Sequence, residues 1–89
     1  MAERQATIAS SSGLHARPAK LFVQAVQEKK IPVTIAVAGG PYLNAGSSLS
    51  LMGLGAAHGS VVTLKADGDG ADQALDELVA LLETDLDAE

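Results

Sequence analysis

The chain contains no cysteine and no tryptophan, and its only large rings are Phe22 and Tyr42. Without thiols there is no disulfide framework and no thiolate metal site, which suits a reducing compartment. With aromatics at 2% of 89 residues, the core must be assembled from Val, Ile, Leu and Ala, within an apolar fraction of 47%. No apolar run is long enough to cross a bilayer. The opening "MAERQATIAS" lacks the apolar stretch of a secretory signal. The expectation is a cytoplasmic protein without membrane contact. Bases are also scarce, six Lys and Arg against eleven Asp and Glu, for a net charge of -5. Nucleic-acid binding needs clustered cations and is not expected. No metal-ligand cluster stands near the candidate site described below, and neither a metal nor another cofactor is expected.

The length fits one small domain, residues 1–89, burying roughly 60–65% of its unfolded surface around a single thin core. The charge is unevenly placed. Residues 15–30 hold Arg17, Lys20, Lys29 and Lys30 against Glu28 alone, whereas residues 67–89 carry nine acids and no base. One end is therefore locally positive although the whole is negative.

Alternation in "ERQATIA" (3–9) predicts a short strand with Ala6 and Ile8 inward, and "SSSG" a turn. Ala19, Phe22, Val23 and Val26 form the apolar stripe of a helix over 16–29. Val33, Ile35 and Val37 give a second strand, and "YLNA" after "GGPY" a short third. Ser47 reads as the cap of a short helix with Leu51 and Leu54 inward and Gly55 closing it. "SVVTLKA" is a fourth strand. Asp69 is expected to cap a last helix whose stripe is Ala71, Ala74, Leu75, Leu78 and Leu82. The acidic tail "TDLDAE" opposes the helix dipole and is expected to fray. Strand, helix, strand, strand, helix, strand, helix points to one mainly antiparallel four-stranded sheet with three helices on one face, the other face open to solvent.

The chemistry concentrates in "SSSGLHARPAK" (10–20). Gly13 permits a sharp turn. His15 falls at the mouth of the first helix, where the backbone N–H groups of Ala16 and Arg17 lack intrahelical partners. Pro18 sits in the first turn, where its missing N–H costs little. These donors, the positive end of the helix dipole and the forked guanidinium of Arg17 make an anion site. An imidazole titrating ordinarily near pH ~6.5 is pushed down there by helix end and arginine, and a neutral ring is a nucleophile. The pattern suits a reversible phosphoryl carrier. No paired carboxylate stands nearby to suggest hydrolysis. A competing reading makes His15 a simple cap in a non-covalent anion-binding module.

"GLHARPA" (13–19) resembles the active-site motif of the HPr family, the histidine-containing phosphocarriers of the bacterial phosphoenolpyruvate-dependent sugar phosphotransferase system. "YLNAGSSLSLMGLGA" resembles that family's second signature, and "DGDGADQALDEL" its entry to the last helix. The likeness spans essentially the whole chain and implies an open-faced βαββαβα sandwich. It implies phosphorylation of His15 at Nδ1, stabilisation by Arg17, and loop shaping by Ser12, Gly13 and Pro18. Ser12 stands where many members have Asn. The implied partners are enzyme I as donor and enzyme IIA domains as acceptors, so the chain is a carrier and not an enzyme turning over alone. A regulatory relative, serving a nitrogen-linked or dihydroxyacetone kinase relay, would share this chemistry.

Ser47 falls where some members carry a serine phosphorylated by a dedicated HPr kinase. Kinase-regulated members tend to have two larger hydrophobics where this chain has Ser48 and Leu49, and many have Gly at Ser50. Capping and regulatory readings of Ser47 thus stand side by side. Leu49 and Met52 lie on another side of the short helix from Leu51 and Leu54. By the resemblance this patch, with Ser48 and the start of the first helix, meets partners; Lys20 and Gln24, one turn apart on the polar side of that helix, are placed to rim it, and a small apolar patch with a basic rim suits brief encounters with acidic surfaces. His58 in "AAHGS" reads as a loop residue. A carrier docking through one face is most simply a monomer.

Overall fold

The computed structural model describes residues 2–9, 13, 16–37 and 39–84. Seven elements follow in the expected order: β1 (Ala2–Thr7), α1 (Ala16–Lys29), β2 (Val33–Val37), β3 (Leu43–Asn44), α2 (Ser48–Leu54), β4 (Val61–Ala66) and α3 (Ala71–Leu82). The strands form one sheet in the order β1-β4-β2-β3, and every neighbouring pair is antiparallel. β4 is inserted between β1 and β2, with Leu64 opposite both Arg4 and Ile35. The first helix must therefore cross over before the strand that completes the sheet centre arrives.

Period-two alternation sorts the sheet faces. Ala6, Val33, Ile35, Val62 and Leu64 are buried beneath the helices, together with Ile8 just past the end of β1. From above, Ala19, Phe22, Val23 and Val26 of α1, Leu51 of α2, and Leu75, Leu78 and Leu82 of α3 close the same cluster. Val37 and Leu54 are only partly buried and pack against its margin. Small residues that periodicity did not single out, Ala45, Ala56 and Ala66, are also buried, and Ala45 has no exposed surface. An aliphatic, alanine-rich interior lets the layers approach closely with a single phenylalanine as the large filler.

Three expectations are corrected. β1 ends at Thr7, not Ala9, because the chain then turns onto other partners: Ile8 N–H donates to Ser60 O (2.9 Å) and Ala9 N–H to Leu82 O (3.0 Å). The third strand is trimmed from "YLNA" to Leu43–Asn44. Asp69 does not cap α3. The N-cap is Gly70, at φ 81 with no side-chain cap bond, and its carbonyl accepts from Ala74 N–H at 2.9 Å. The anion for the helix dipole comes from Asp72 within the first turn.

Charge scarcity is managed by pairing. Arg4 on β1 reaches across to α3, Nε to Asp76 (3.0 Å) and Nη2 to Asp72 (3.1 Å), and the Asp76 bond foremost holds its guanidinium above the ordinary value. Lys29 at the end of α1 pairs with Glu77. On the open face Lys65 lies over the Tyr42 ring, 4.5 Å from its centroid, with Glu3 3.7 Å away. The hydrogen bond from Lys29 pulls the Glu77 carboxyl below its ordinary value. Such a group stabilises the fold above the unfolded carboxylate range, and that contribution is lost as pH falls through the lowered folded value. The stability gap between the native chain and Lys29→Met should therefore narrow on acidification, read as converging urea midpoints below pH ~4.

Lys30, just past the end of α1, has φ 60, the one non-glycine of left-handed backbone among the described residues. Its N–H bonds Gln27 O at 3.3 Å. Glycine takes this position without steric cost, so Lys30→Gly should raise stability by about 0.5–1 kcal/mol, net of the flexibility it adds to the unfolded chain. A thermal melt raised by a few degrees checks it.

Candidate functional site

α1 begins at Ala16, as its first-turn proline allows: Pro18 needs no hydrogen bond there and is fully buried. The helix thus opens one residue after the position of the candidate nucleophile. The N–H groups of Ala16 and Arg17 belong to the first turn, which has no intrahelical acceptor for them. Arg17 is exposed. Ser12 and His15 lie outside the described residues.

Gly13 is buried at φ 75. A Cβ on it would stand 2.5 Å from Ala56 O and 2.9 Å from Ala57 Cα. The glycine does more than turn the chain: it lets the backbone at residue 13 press onto that of the loop after α2. That loop is tied to the end of β1, with Gly59 N–H donating to Ile8 O (2.9 Å), and is closed internally by Ser60 N–H to Ala57 O (3.0 Å) and Ala57 N–H to Ser60 Oγ (3.1 Å). Gly13 is therefore held against a loop that is itself tied to the end of β1. Sequence reasoning missed the part played by residues 56–60. The only written signal was the pair of small residues Ala56 and Ala57 preceding His58.

α2 is brought against α1, and Gln27 Nε2 of α1 donates to Gly46 O just ahead of α2 at 3.2 Å. α2 buries Leu51 completely while Leu49 stays 78% and Met52 42% exposed. These two are surface residues, not core. Ser48, Lys20 and Gln24 are exposed as well. Ser47 caps α2: its Oγ accepts from Ser50 N–H at 3.4 Å, and Gly55 at φ 75 closes the other end. Among the described residues no group of three His, Asp or Glu side chains could hold a metal, and no helix is long and apolar enough to cross a membrane.

An antiparallel sheet covered on one side by three helices, with a tightly held glycine three residues before the first helix, defines an open-faced α+β sandwich. The family model "PTS HPr component phosphorylation site" matches residues 2–84. The chain belongs to the HPr family, the phosphocarriers of the phosphotransferase system. It is 46% identical over 82 residues to the phosphocarrier protein HPr of Streptomyces coelicolor, covering 92% of this chain and 88% of that one. It is 37% identical to the Vibrio cholerae phosphocarrier protein HPr over 93% of this chain and 96% of that one. Among solved structures, an HPr from Thermoanaerobacter tengcongensis superposes with a TM-score of 0.90 at 37% identity, over 100% of this chain and 99% of that one. An HPr dimer from the same organism gives 0.70 at 38% identity over 93% and 94%.

Proposed function

We propose that this chain accepts a phosphoryl group on Nδ1 of His15 from phosphorylated enzyme I and passes it to enzyme IIA domains serving sugar uptake. The observation that carries the reading is the start of α1 at Ala16, with Gly13 clamped two residues before His15. The bond from phosphorus to the donor atom breaks as the bond to Nδ1 forms, and the reverse exchange delivers the group onward. The N–H groups of Ala16 and Arg17 and the Arg17 guanidinium hold the phosphoryl oxygens. Neither cofactor nor metal takes part, and the protein is consumed and regenerated as a carrier.

Partners meet the face formed by Lys20, Gln24, Ser48, Leu49 and Met52, whose exposed apolar centre supports brief docking. The carrier works as a cytoplasmic monomer. Ser47 serves as a helix cap, supported by its bond from Ser50 N–H. The test is intact mass after incubation with enzyme I, magnesium and phosphoenolpyruvate. One acid-labile phosphoryl adduct is expected on the native chain and none on His15→Ala. An adduct on the His15→Ala chain, or none on the folded native chain, overturns the reading.

A further inference from the structure

β1 lies at the edge of the sheet, so its outer side has no strand to bond. Such an edge is a template for a second strand. Ile8 N–H donates to Ser60 O, and the register carries that pairing back through Ala6 with Val62, Arg4 with Leu64 and Ala2 with Ala66. Bonding sides alternate along an antiparallel strand. Glu3, Gln5 and Thr7 therefore turn their backbone N–H and C=O groups outward. A second copy of β1, antiparallel and centred on Gln5, would match this edge without mismatch. Gln5 would bond Gln5 of the second copy, and each Thr7 N–H would meet the opposite Glu3 C=O.

Those two groups are already occupied. Glu3 O accepts from Arg4 Nη1 at 2.8 Å, and Thr7 N–H donates to Glu83 Oε2 at 3.4 Å. Arg4 is held at the edge by α3, through Asp76 at 3.0 Å and Asp72 at 3.1 Å. Glu83 is the C-cap residue of the same helix, which packs against β1. Gln5, between the two, has no such side-chain bond among the described residues. We propose that Arg4 and Glu83 guard the β1 edge against strand pairing with a second copy of this chain. Arg4 takes the acceptor and Glu83 the donor of one and the same bond between copies. Removing either alone leaves that bond blocked, so the two act non-additively. The device stands apart from the chemistry read at His15.

The test is the association state of the full chain in a sedimentation experiment, with Arg4→Met, Glu83→Ala or both. High salt screens the base-free α3 helices of two copies from one another. Methionine keeps an aliphatic stem at position 4, and loss of exposed ion pairs costs little stability. The native chain and both single variants should stay monomeric in a concentration range where the double variant dimerises, an association strengthened about tenfold or more. Adding Gln5→Pro removes an N–H that faces outward, which an edge strand tolerates, and should restore the monomer. A double variant that is folded by far-UV circular dichroism yet monomeric overturns the inference, as does a dimer that survives Gln5→Pro. Amide exchange on the native chain gives a reading that needs no variant to fold. Corrected for intrinsic rates, Thr7 N–H should exchange about fivefold more slowly than Gln5 N–H, and equal rates overturn the inference.

Discussion

Gly13→Ala lowers the unfolding free energy by about 2–4 kcal/mol, the sum expected of a left-handed backbone forced on a residue with a side chain and of overpacking. Both contacts that the new methyl makes are with backbone, Ala56 O at 2.5 Å and Ala57 Cα at 2.9 Å, so no side chain can rotate away. Either the approach to α1 or the loop after α2 must move. For a domain of this size the loss corresponds to a melting temperature lower by ~10 °C or more. Phosphoryl acceptance should slow as well, because the same movement displaces the chain two residues before His15. A melt and an acceptance rate within error of the native chain would show that the close approach is not a constraint.

Phe22→Ala costs about 3–5 kcal/mol through lost burial and the cavity left behind. Phe22 is fully buried in the cluster joined by all three helices, and no second phenylalanine or tryptophan can repack into the space. A chain of this length has roughly 4–13 kcal/mol in total. The variant should therefore lie near the edge of folding, with a urea midpoint lower by about 2 M. A far-UV spectrum and midpoint close to native would contradict the assignment of Phe22 as the central filler.

The burial of the apolar stripes was legible because it rests on period alone: Ala19, Phe22, Val23 and Val26, and Leu75, Leu78 and Leu82, all lie inside. So was the capping of α2, since Ser47 and Gly55 sit at their helix ends with the chemistry those positions favour. Asp69 misled because Asp is a favoured cap, yet the Gly70 carbonyl, one residue on, takes the first helical bond. The cross-sheet ties from Arg4 to Asp72 and Asp76 were invisible, for they join residues about seventy positions apart through a fold not yet known. The same holds for the site. The motif at 13–19 pointed to the family, but the pressure of Ala56 and Ala57 on Gly13 follows only from tertiary packing.

The most direct test locates the phosphoryl group. The chain is phosphorylated with enzyme I and phosphoenolpyruvate, and the adduct is mapped by fragmentation under non-acidic conditions and by phosphorus–nitrogen coupling in the NMR spectrum. The account predicts phosphorus on Nδ1 of His15 and on no other residue. Phosphorus on His58, on Ser47 or on Nε2 of His15 would contradict it.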